Sequence, residues 1–502
     1  MRKVLLINPA RIYYKKSLRT SPQGMIGLPL GILYVAAALE KNGCRVKIID
    51  SLVHEHSIIK EFANYTYYGV PSELLKKDIL DFNPDIVGIA SQSATQEENV
   101  FETAKLIKDI RKSIPVIVGG ANAVPRAGVF LEDRNIDIVI RGEGEATIGE
   151  VVEYYRNRKN LGEIPGITYR LGDEIIATAG RPFIENSDTL PFPAYHLVDM
   201  ERYLTLYKKG IYVRGAGVRR NISVVTSRGC PYSCTFCSIA QSMGRLWRAH
   251  SPPYLIKHIE LLSKTYGVKH IHFEDDNLFF DPKRFSGILG TLAQEKITWD
   301  TPNGIRADLS ITEEMLREFR KTGCQSIAIG VESGDEHILN TVIKKSLKLA
   351  DVEEFARRCK KAKVFLRAFF VLGFPGETVA TMQKTMDFAL HLARVYSVEI
   401  LNFIATPLYG TELYEICEKG RYFSTDISPE ALSESINPEG YGLITTESFS
   451  SYDVERMSKI FTSLAYRDVL RKAVRHPIRY AKRVGNLYNC KKVINSLLPK
   501  IS

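Results

Sequence analysis

Three cysteines, Cys230, Cys234 and Cys237, are the residues of this sequence best suited to chemistry, in the stretch RGCPYSCTFCSI (228–239). A closed zinc site normally needs four ligands, and a disulfide framework needs an even number of cysteines. A 4Fe–4S cluster held by only three thiolates leaves one iron with an open coordination position. The spacing C-x3-C-x2-C therefore predicts an iron–sulfur site whose open iron receives a substrate or cofactor.

The other cysteines lie far apart, and burial in the core is their simplest role. Few cysteines and no second C-x2-C pair argue against both a disulfide scaffold and a closed zinc site. These five residues are Cys44, Cys324, Cys359, Cys417 and Cys490.

The net charge of +11 lies mostly at the end of the chain. Between Arg467 and Ser502 there are ten Lys or Arg residues and one Asp, so the remainder is close to neutral. We therefore expect no general nucleic-acid binding, although a zinc-loop nucleic-acid-binding protein is the alternative that the basic tail suggests. The tail mixes apolar and basic residues at helical spacing. It is expected to pack on the body or to touch an anionic membrane surface peripherally.

The start of the chain predicts a buried strand, because only four apolar residues precede Asn8-Pro9. A secretory signal has a longer apolar region, and no run in the sequence reaches the roughly 18 residues of a membrane span. We therefore expect a cytoplasmic protein, with the inner membrane face as the place of any peripheral contact.

The elements that must position the cysteines form two alternations of strand and helix patterns. The first is typical of an open doubly wound α/β sheet, whose ligands bind beyond the carboxyl ends of the strands. Its strands are short runs rich in β-branched residues. They are expected at 3–9, 45–50, 85–91, 115–120 and 136–144.

The second alternation begins at residue 221 and predicts a partial (β/α)6 TIM-type barrel. The cysteine loop follows its first strand, at the face where such barrels carry catalytic groups. Between the two alternations, residues 158–220 are interpreted as a connector that contains a hairpin. Residues 426–502 are interpreted as a helical, basic C-terminal region, with a loop-like stretch at 426–450 and helices expected at 452–472 and 477–498. The barrel strands are expected at 222–227, 270–275, 298–304, 325–332, 364–374 and 397–406.

The motif C-x3-C-x2-C, with Phe236 before its last cysteine, resembles that of the radical SAM superfamily. The resemblance implies that Cys230, Cys234 and Cys237 hold a 4Fe–4S cluster, whose open iron binds S-adenosylmethionine (SAM). It also implies that an electron from the cluster cleaves SAM to methionine and a 5′-deoxyadenosyl radical. A flavodoxin or ferredoxin would supply that electron.

Three later stretches resemble the superfamily's barrel motifs: HIHFEDDNLFFD (270–281), IGVESGD (329–335) and VLGFPGET (371–378). There, acidic side chains contact the SAM amino group and glycines shape the SAM pocket. Arg306, Arg367 and Asp276 are further candidates. The resemblance implies SAM-binding residues at Phe236, Glu274, Asp275, Glu332, Ser333, Arg367, Gly373 and Gly376.

The first 157 residues resemble the cobalamin-binding domain that precedes the barrel in one radical SAM subfamily. The D-x-H-x-x-G motif that supplies a cobalt-binding histidine elsewhere is missing, since Asp50 is followed by His54 at a different spacing. The resemblance implies either cobalamin binding without that histidine or a degenerate domain without cobalamin, and we expect binding. The implied cobalamin-binding residues are Leu30, Gly31, Ser91, Ser93, Gly119, Gly120, Gly142, Glu143 and Gly144.

These resemblances imply a cobalamin-dependent enzyme that methylates an unactivated carbon of a small-molecule or lipid-like substrate. A cyclase or oxidoreductase that acts on a hydrophobic, tetrapyrrole-like substrate without methyl transfer is the first alternative. A non-catalytic cobalamin or redox sensor is the second. The domains are expected to be a cobalamin-binding domain (1–157), a connector (158–220), a radical SAM barrel (221–425) and the C-terminal region (426–502).

Overall fold

The computed structural model describes residues 2–14, 26–157, 160–206, 220–308, 310–436 and 440–475. The predicted helix at 477–498 and most of the basic tail lie outside these residues. None of the helices in the described part of the chain is long and apolar enough to cross a membrane.

The N-terminal part of the chain contains ten strands and six helices among its described residues. The strands are β1 (Lys3–Asn8), β2 (Arg11–Tyr14), β3 (Arg45–Asp50), β4 (Ile58–Glu61), β5 (Tyr65–Gly69), β6 (Ile86–Ala90), β7 (Val116–Gly119), β8 (Ile138–Ile140), β9 (Ile167–Leu171) and β10 (Glu174–Ala177). The helices are α1 (Leu30–Lys41), α2 (Ser72–Phe82), α3 (Glu97–Ile110), α4 (Ala127–Glu132), α5 (Gly144–Asn157) and α6 (Met200–Thr205).

Five parallel strands form the centre of the first sheet, in the order β3-β1-β6-β7-β8. This order is the doubly wound arrangement in which the strand sequence reverses next to β1. The predicted hairpin is present as β9 and β10, which add two antiparallel strands beside β8. A small sheet, β2-β5-β4, is an addition that the alternation did not predict. The doubly wound domain is therefore confirmed, with its ligand edge at the carboxyl ends of β1, β6, β7 and β8.

The C-terminal part contains eight strands and nine helices among its described residues. The strands are β11 (Asn221–Val224), β12 (Ser227–Arg228), β13 (Arg248–Ala249), β14 (His270–Phe273), β15 (Thr298–Ile305), β16 (Cys324–Glu332), β17 (Leu366–Leu372) and β18 (Glu399–Ile404). The helices are α7 (Ile239–Ser242), α8 (Pro252–Tyr266), α9 (Pro282–Gln294), α10 (Glu313–Lys321), α11 (Leu349–Ala362), α12 (Val379–Tyr396), α13 (Glu412–Gly420), α14 (Pro429–Ser435) and α15 (Ser451–Arg475).

Six of these strands form a parallel sheet in strict chain order, β11-β14-β15-β16-β17-β18. The described strands do not close, so the predicted partial barrel of six units is confirmed. Capping residues determine where two of the barrel helices, α8 and α9, begin. The Ser251 hydroxyl and the Asp281 carboxylate each accept a backbone N–H in the first turn of α8 and α9, and a proline follows each cap.

One apolar core joins the two parts of the molecule. It includes Leu33 of α1 and Tyr195 beside the first sheet, together with Ile259 of α8 and Trp299 of β15. A second core fills the other face of the first sheet, under α2, α3 and α4. Because the first core is continuous, the ligand edge of the first sheet is held against the mouth of the barrel.

Candidate active site

The cysteine loop leaves β11 at the carboxyl end of the barrel strands, as predicted. Cys230, Cys234 and Cys237 are half-buried thiols without a disulfide. Gly229 has φ +80°, and a Cβ at this position would lie 2.3 Å from the carbonyl oxygen of Leu246, so the turn into the motif requires glycine. Burial raises the pKa of Cys237 to about 11, so this side chain is a thiol at neutral pH until a metal displaces the proton.

A buried ion pair lies beside the loop. The Lys345 ammonium is 2.8 Å from Oε1 of Glu332, and both side chains are almost fully buried. Burial raises the pKa of Cys234, and the charge of Lys345 partly opposes this shift. Gly330 makes room for the pair, because a Cβ there would lie 2.5 Å from Oε1 of Glu332. Glu332 itself has φ +71°, an uncommon backbone conformation that aims its carboxylate at Lys345.

The acidic residues after β14 have different hydrogen-bond partners, and these partners do not match the expected roles. Asp275 accepts hydrogen bonds from the Thr226 amide, the Thr226 hydroxyl and the Ser227 hydroxyl, so its carboxylate anchors the start of the loop. Asp276 instead accepts from the Gly229 amide and faces the cysteines. Burial and the neighbouring Asp275 raise the pKa of Asp276 to about 7. Of the two, Asp276 is therefore the one available to a ligand at the loop. Glu274 points towards β11 and accepts from the Ser223 hydroxyl at 3.1 Å.

Two glycines of the last motif lie where the expectation put them, at the end of β17. Gly373 and Gly376 both have positive φ, and the amides of Gly373 and Phe374 donate to the buried carboxyl group of Glu377. The ring of Phe236 lies 5.7 Å from that of Phe374, which joins this turn to the cysteine loop. The turn and the loop therefore form one continuous surface.

Three candidates for SAM are occupied by other partners. Arg367 is paired with Glu399 at 2.8 Å near the start of β17. It lies six residues before Gly373, roughly 20 Å along the strand at ~3.3 Å per residue, so the structure does not bring it to the cysteine loop. The guanidinium of Arg306 is held by Asp308 and lies 3.7 Å from the ring centre of Tyr232.

Ser333 is the third of these candidates and is fully buried. Its hydroxyl lies 3.2 Å from the Thr385 hydroxyl and accepts from the Asp335 amide, so it holds the turn after β16. Its side chain supports the chain near the site and does not line it.

A cavity of about 210 Å³ lies at the ligand edge of the first sheet. Its walls come from both parts of the molecule, since Val225, Arg228 and Met243 of the barrel complete it. No histidine is found among its described lining residues, and His54 is paired with Asp78 elsewhere. The lining includes seven of the residues expected to bind cobalamin: Leu30, Gly31, Gly119, Gly120, Gly142, Glu143 and Gly144.

Glycine at position 120 is needed for the shape of this cavity. Gly120 has φ +115°, and a Cβ there would lie 2.6 Å from the carbonyl oxygen of Ser91. Ser91 is fully buried behind this turn, and the Ser93 hydroxyl lies 2.6 Å from that of Thr95. Neither serine is among the lining residues.

Glu143 lines the cavity and is also held in an ion-pair cluster. Its carboxylate accepts from Arg228 at 2.9 Å and from Arg248 at 2.8 Å, and Arg228 also donates to Glu145 at 2.7 Å. All four side chains are buried, and their charges balance. Burial disfavours the charged guanidinium, but Glu145 and Glu143 together raise the pKa of Arg228 above its usual range. Glu143 is therefore the centre of an ion-pair cluster that joins the first domain to the cysteine loop.

Several residues of this site belong to no recognisable motif. Arg228 stands only two residues before Cys230, so its place beside the first cysteine was a usable signal. It also lies 5.0 Å from the ring centre of Tyr34, which lines the cavity. Lys345 lies in a loop without a recognisable pattern and could not have been found from spacing.

Residues 224–389 match the Radical SAM superfamily, and residues 21–152 match the B12 binding domain. An uncharacterized methyltransferase of Pyrococcus horikoshii is 31% identical over 396 residues, which cover 78% of this chain and 79% of that protein. Cytidylyl-2-hydroxyethylphosphonate methyltransferase of Streptomyces wedmorensis is 28% identical over 446 residues, covering 83% and 81%. An anaerobic magnesium-protoporphyrin IX monomethyl ester cyclase of Cereibacter sphaeroides is 27% identical over 371 residues, covering 72% and 56%.

Among solved structures, the cobalamin-dependent S-adenosylmethionine radical enzyme OxsB, with aqua-cobalamin and S-adenosylmethionine bound, has a TM-score of 0.71 at 19% identity. The match covers 92% of this chain and 66% of OxsB, while a second OxsB structure is covered over 52% of its length. At this identity the likeness shows the fold.

The chain belongs to the radical SAM enzymes that carry an N-terminal B12-binding domain. It is an enzyme that uses a 4Fe–4S cluster, SAM and cobalamin, as predicted. The residues present fit these groups. Three thiols without disulfides suit a cluster with one open iron, and a glycine-lined cavity between the domains suits a large planar cofactor.

Proposed function

We propose that this enzyme methylates an unactivated carbon of a small-molecule substrate. One observation carries the proposal: Arg228 lines the glycine-rich cavity and begins the cysteine motif, so the expected cobalamin and SAM sites adjoin. A methyl carrier and a radical generator must both reach the same substrate carbon. Bound cobalamin would supply the methyl group, and the cluster would supply the electron that cleaves SAM.

In this proposal Cys230, Cys234 and Cys237 hold the cluster. The proposed SAM pocket is formed by Phe236, Asp276, the Glu332–Lys345 pair and the turn at Gly373 and Gly376. Glu274 faces the barrel interior below it, and Asp275 acts by holding the loop. Residues 1–157 form the proposed cobalamin-binding domain, 158–220 the connector, 221–425 the barrel and 426–502 the C-terminal region.

The barrel interior supports a partly hydrophobic substrate. Arg367 and Glu399 share one face of β17 and β18 with Phe369 and Phe403, whose ring centres are 5.8 Å apart. These aromatic side chains are half-buried and face away from the outer helices. An apolar wall with one ion pair below it suits a molecule that has an apolar body and a polar end.

Cyclisation or oxidation without methyl transfer is the second candidate, favoured by the likeness to the magnesium-protoporphyrin cyclase. The two reactions differ in what they take from SAM. A methyltransferase of this type converts SAM to both S-adenosylhomocysteine and 5′-deoxyadenosine, whereas a cyclase that uses SAM only for the radical yields no S-adenosylhomocysteine.

The test is product analysis with SAM that carries a deuterated methyl group. Reconstituted enzyme with cobalamin is reduced anaerobically by flavodoxin, the proposed class of electron donor, and incubated without added substrate. We expect S-adenosylhomocysteine, with the label recovered on the corrinoid. 5′-Deoxyadenosine without S-adenosylhomocysteine would support the cyclase, and neither product would support a sensor.

A further inference from the structure

Three buried side chains inside the barrel, His270, His272 and Asp300, take no part in the sites described above. His270 and His272 alternate along β14 and so share a face, and Asp300 lies opposite His272 on β15. The other face of these strands carries Phe273 and Trp299, which pack against aromatic side chains of α9 and α10. The three polar side chains therefore face the interior, near the starts of the strands.

Their ligand atoms converge on one point. Nδ1 of His272 lies 2.6 Å from Oδ1 of Asp300 and 3.3 Å from Nε2 of His270, and that Nε2 is 3.6 Å from the same oxygen. A tetrahedral zinc ion with bonds of about 2.0–2.1 Å holds its ligand atoms roughly 3.3 Å apart. Two of the three separations already fit. The third separation, between Nδ1 of His272 and Oδ1 of Asp300, is the length of a hydrogen bond, because these two atoms share a proton.

Thr298 determines which nitrogen of His270 is free. Its hydroxyl lies 3.2 Å from the carbonyl oxygen of Lys269, to which it donates, so it accepts from Nδ1–H of His270 at 2.8 Å. Nε2 of His270 then presents a lone pair to the group, and such second partners commonly orient metal-binding imidazoles. Nε2 of His272 is buried without a hydrogen-bond partner among the described residues, so the orientation of this ring depends on Nδ1.

We propose that His270, His272 and Asp300 form a site for a divalent cation of the zinc class, which braces β14 and β15 inside the barrel. Two imidazoles and one carboxylate are a ligand set that suits Zn²⁺. Binding moves the imidazole proton of His272 from Nδ1 to Nε2, so that each of the three groups offers a lone pair. The carboxylate of Asp300 neutralises one of the two positive charges in a region that excludes water.

The test is zinc content, measured on the full chain with the three cluster cysteines changed to alanine so that no cluster metal interferes. This protein is exposed to Zn²⁺ and then passed over a chelating resin. We expect about one zinc per chain, held by the three side chains. Adding His272→Ala or the isosteric Asp300→Asn is expected to reduce the zinc at least tenfold.

His258→Ala is the matched control, because His258 is an equally buried histidine whose Nε2 contacts the Tyr195 hydroxyl at 2.9 Å. It should keep its zinc. The proposal is overturned if the parent protein retains no zinc, which would mean that the three groups only share a proton. It is equally overturned if Asp300→Asn and His272→Ala retain zinc, or if the His258 control loses it to the same extent.

Discussion

Replacing Glu143 by glutamine should weaken the contact between the two domains and so lower the free energy of unfolding. The glutamate side chain is 3% exposed and accepts from both Arg228 and Arg248, and also from the Ile184 amide at 2.7 Å. The substitution leaves the cluster of two arginines with Glu145 as its one remaining carboxylate. It also turns an amide N–H towards groups that are themselves donors.

The expected loss can be worked from these contacts. Breaking one side of a buried ion pair costs about 3–5 kcal/mol, because an uncompensated charge stays buried. Arg228 keeps its bond to Glu145, so we expect a loss near the lower limit, about 3 kcal/mol. The unfolding entropy is about 2.1 cal/mol/K per residue, so for a chain of 502 residues 1 kcal/mol corresponds to about 1 °C, and the melting temperature should fall by roughly 3 °C.

The assay is thermal and urea unfolding of cofactor-free protein, because the contacts exist without any ligand. Glu150→Gln is the matched control, since Glu150 lies on α5, is 48% exposed and pairs with Arg181. An exposed pair of this kind contributes at most about 1 kcal/mol. Equal melting temperatures for the two variants would refute the reasoning. So would a normal melting temperature with lost corrinoid binding, which would make Glu143 a cobalamin ligand.

Three further predictions concern single positions. Gly229→Ala places a methyl group 2.3 Å from a backbone carbonyl at φ +80°, so we expect iron analysis to show loss of the cluster while the corrinoid spectrum is kept. Gly120→Ala, at φ +115°, should instead cause loss of the corrinoid while the iron is kept. Each of these two changes costs at least about 1–2 kcal/mol in backbone strain alone. Gly128→Ala is the control, because an added Cβ there has nothing within 4 Å, and it should change neither the iron content nor the corrinoid content. Loss of both cofactors in all three glycine variants would contradict the assignments. Finally, burial raises the pKa of Glu377 from 4.5 to about 7, so the unfolded chain releases this proton at lower pH than the folded protein does. Stability of the cofactor-free protein should therefore fall between pH 4.5 and 7, by about 3 kcal/mol from this group, and urea unfolding of Glu377→Gln should show a correspondingly flatter profile. If the stability of the parent protein and of Glu377→Gln depended on pH in the same way, Glu377 would not keep its proton in the folded protein.

The two alternations of strands and helices could be predicted because each strand is a short buried run between helical patterns. All eleven strands expected in the two main sheets are present within a few residues of their predicted limits. The small sheet was missed because β4 is exposed along its whole length and shows no alternation. The helix α14 was missed because it is short and packs against the distant β2, which no local pattern reveals.

The cluster cysteines could be predicted from spacing alone, but the neighbouring ligands could not. Asp275 and Asp276 are adjacent at the end of β14, and only the local path of the backbone determines that Asp276 faces the loop. Glu143 lines the cavity with its neighbours Gly142 and Gly144, but its ion pairs could not be predicted. Its arginine partners are more than eighty residues away in the chain, so sequence patterns could not pair them.

The most direct test of the central claim is the metal and corrinoid content of anaerobically reconstituted full-length protein, read with its ultraviolet–visible spectrum. The claim is that one chain holds a cluster at Cys230, Cys234 and Cys237 beside a cobalamin in the cavity that Arg228 completes. It predicts about four irons and one corrinoid per chain, with both the cluster shoulder and corrinoid bands in one spectrum. Zinc in place of iron at the cysteines, or a cluster without retained corrinoid, would contradict it.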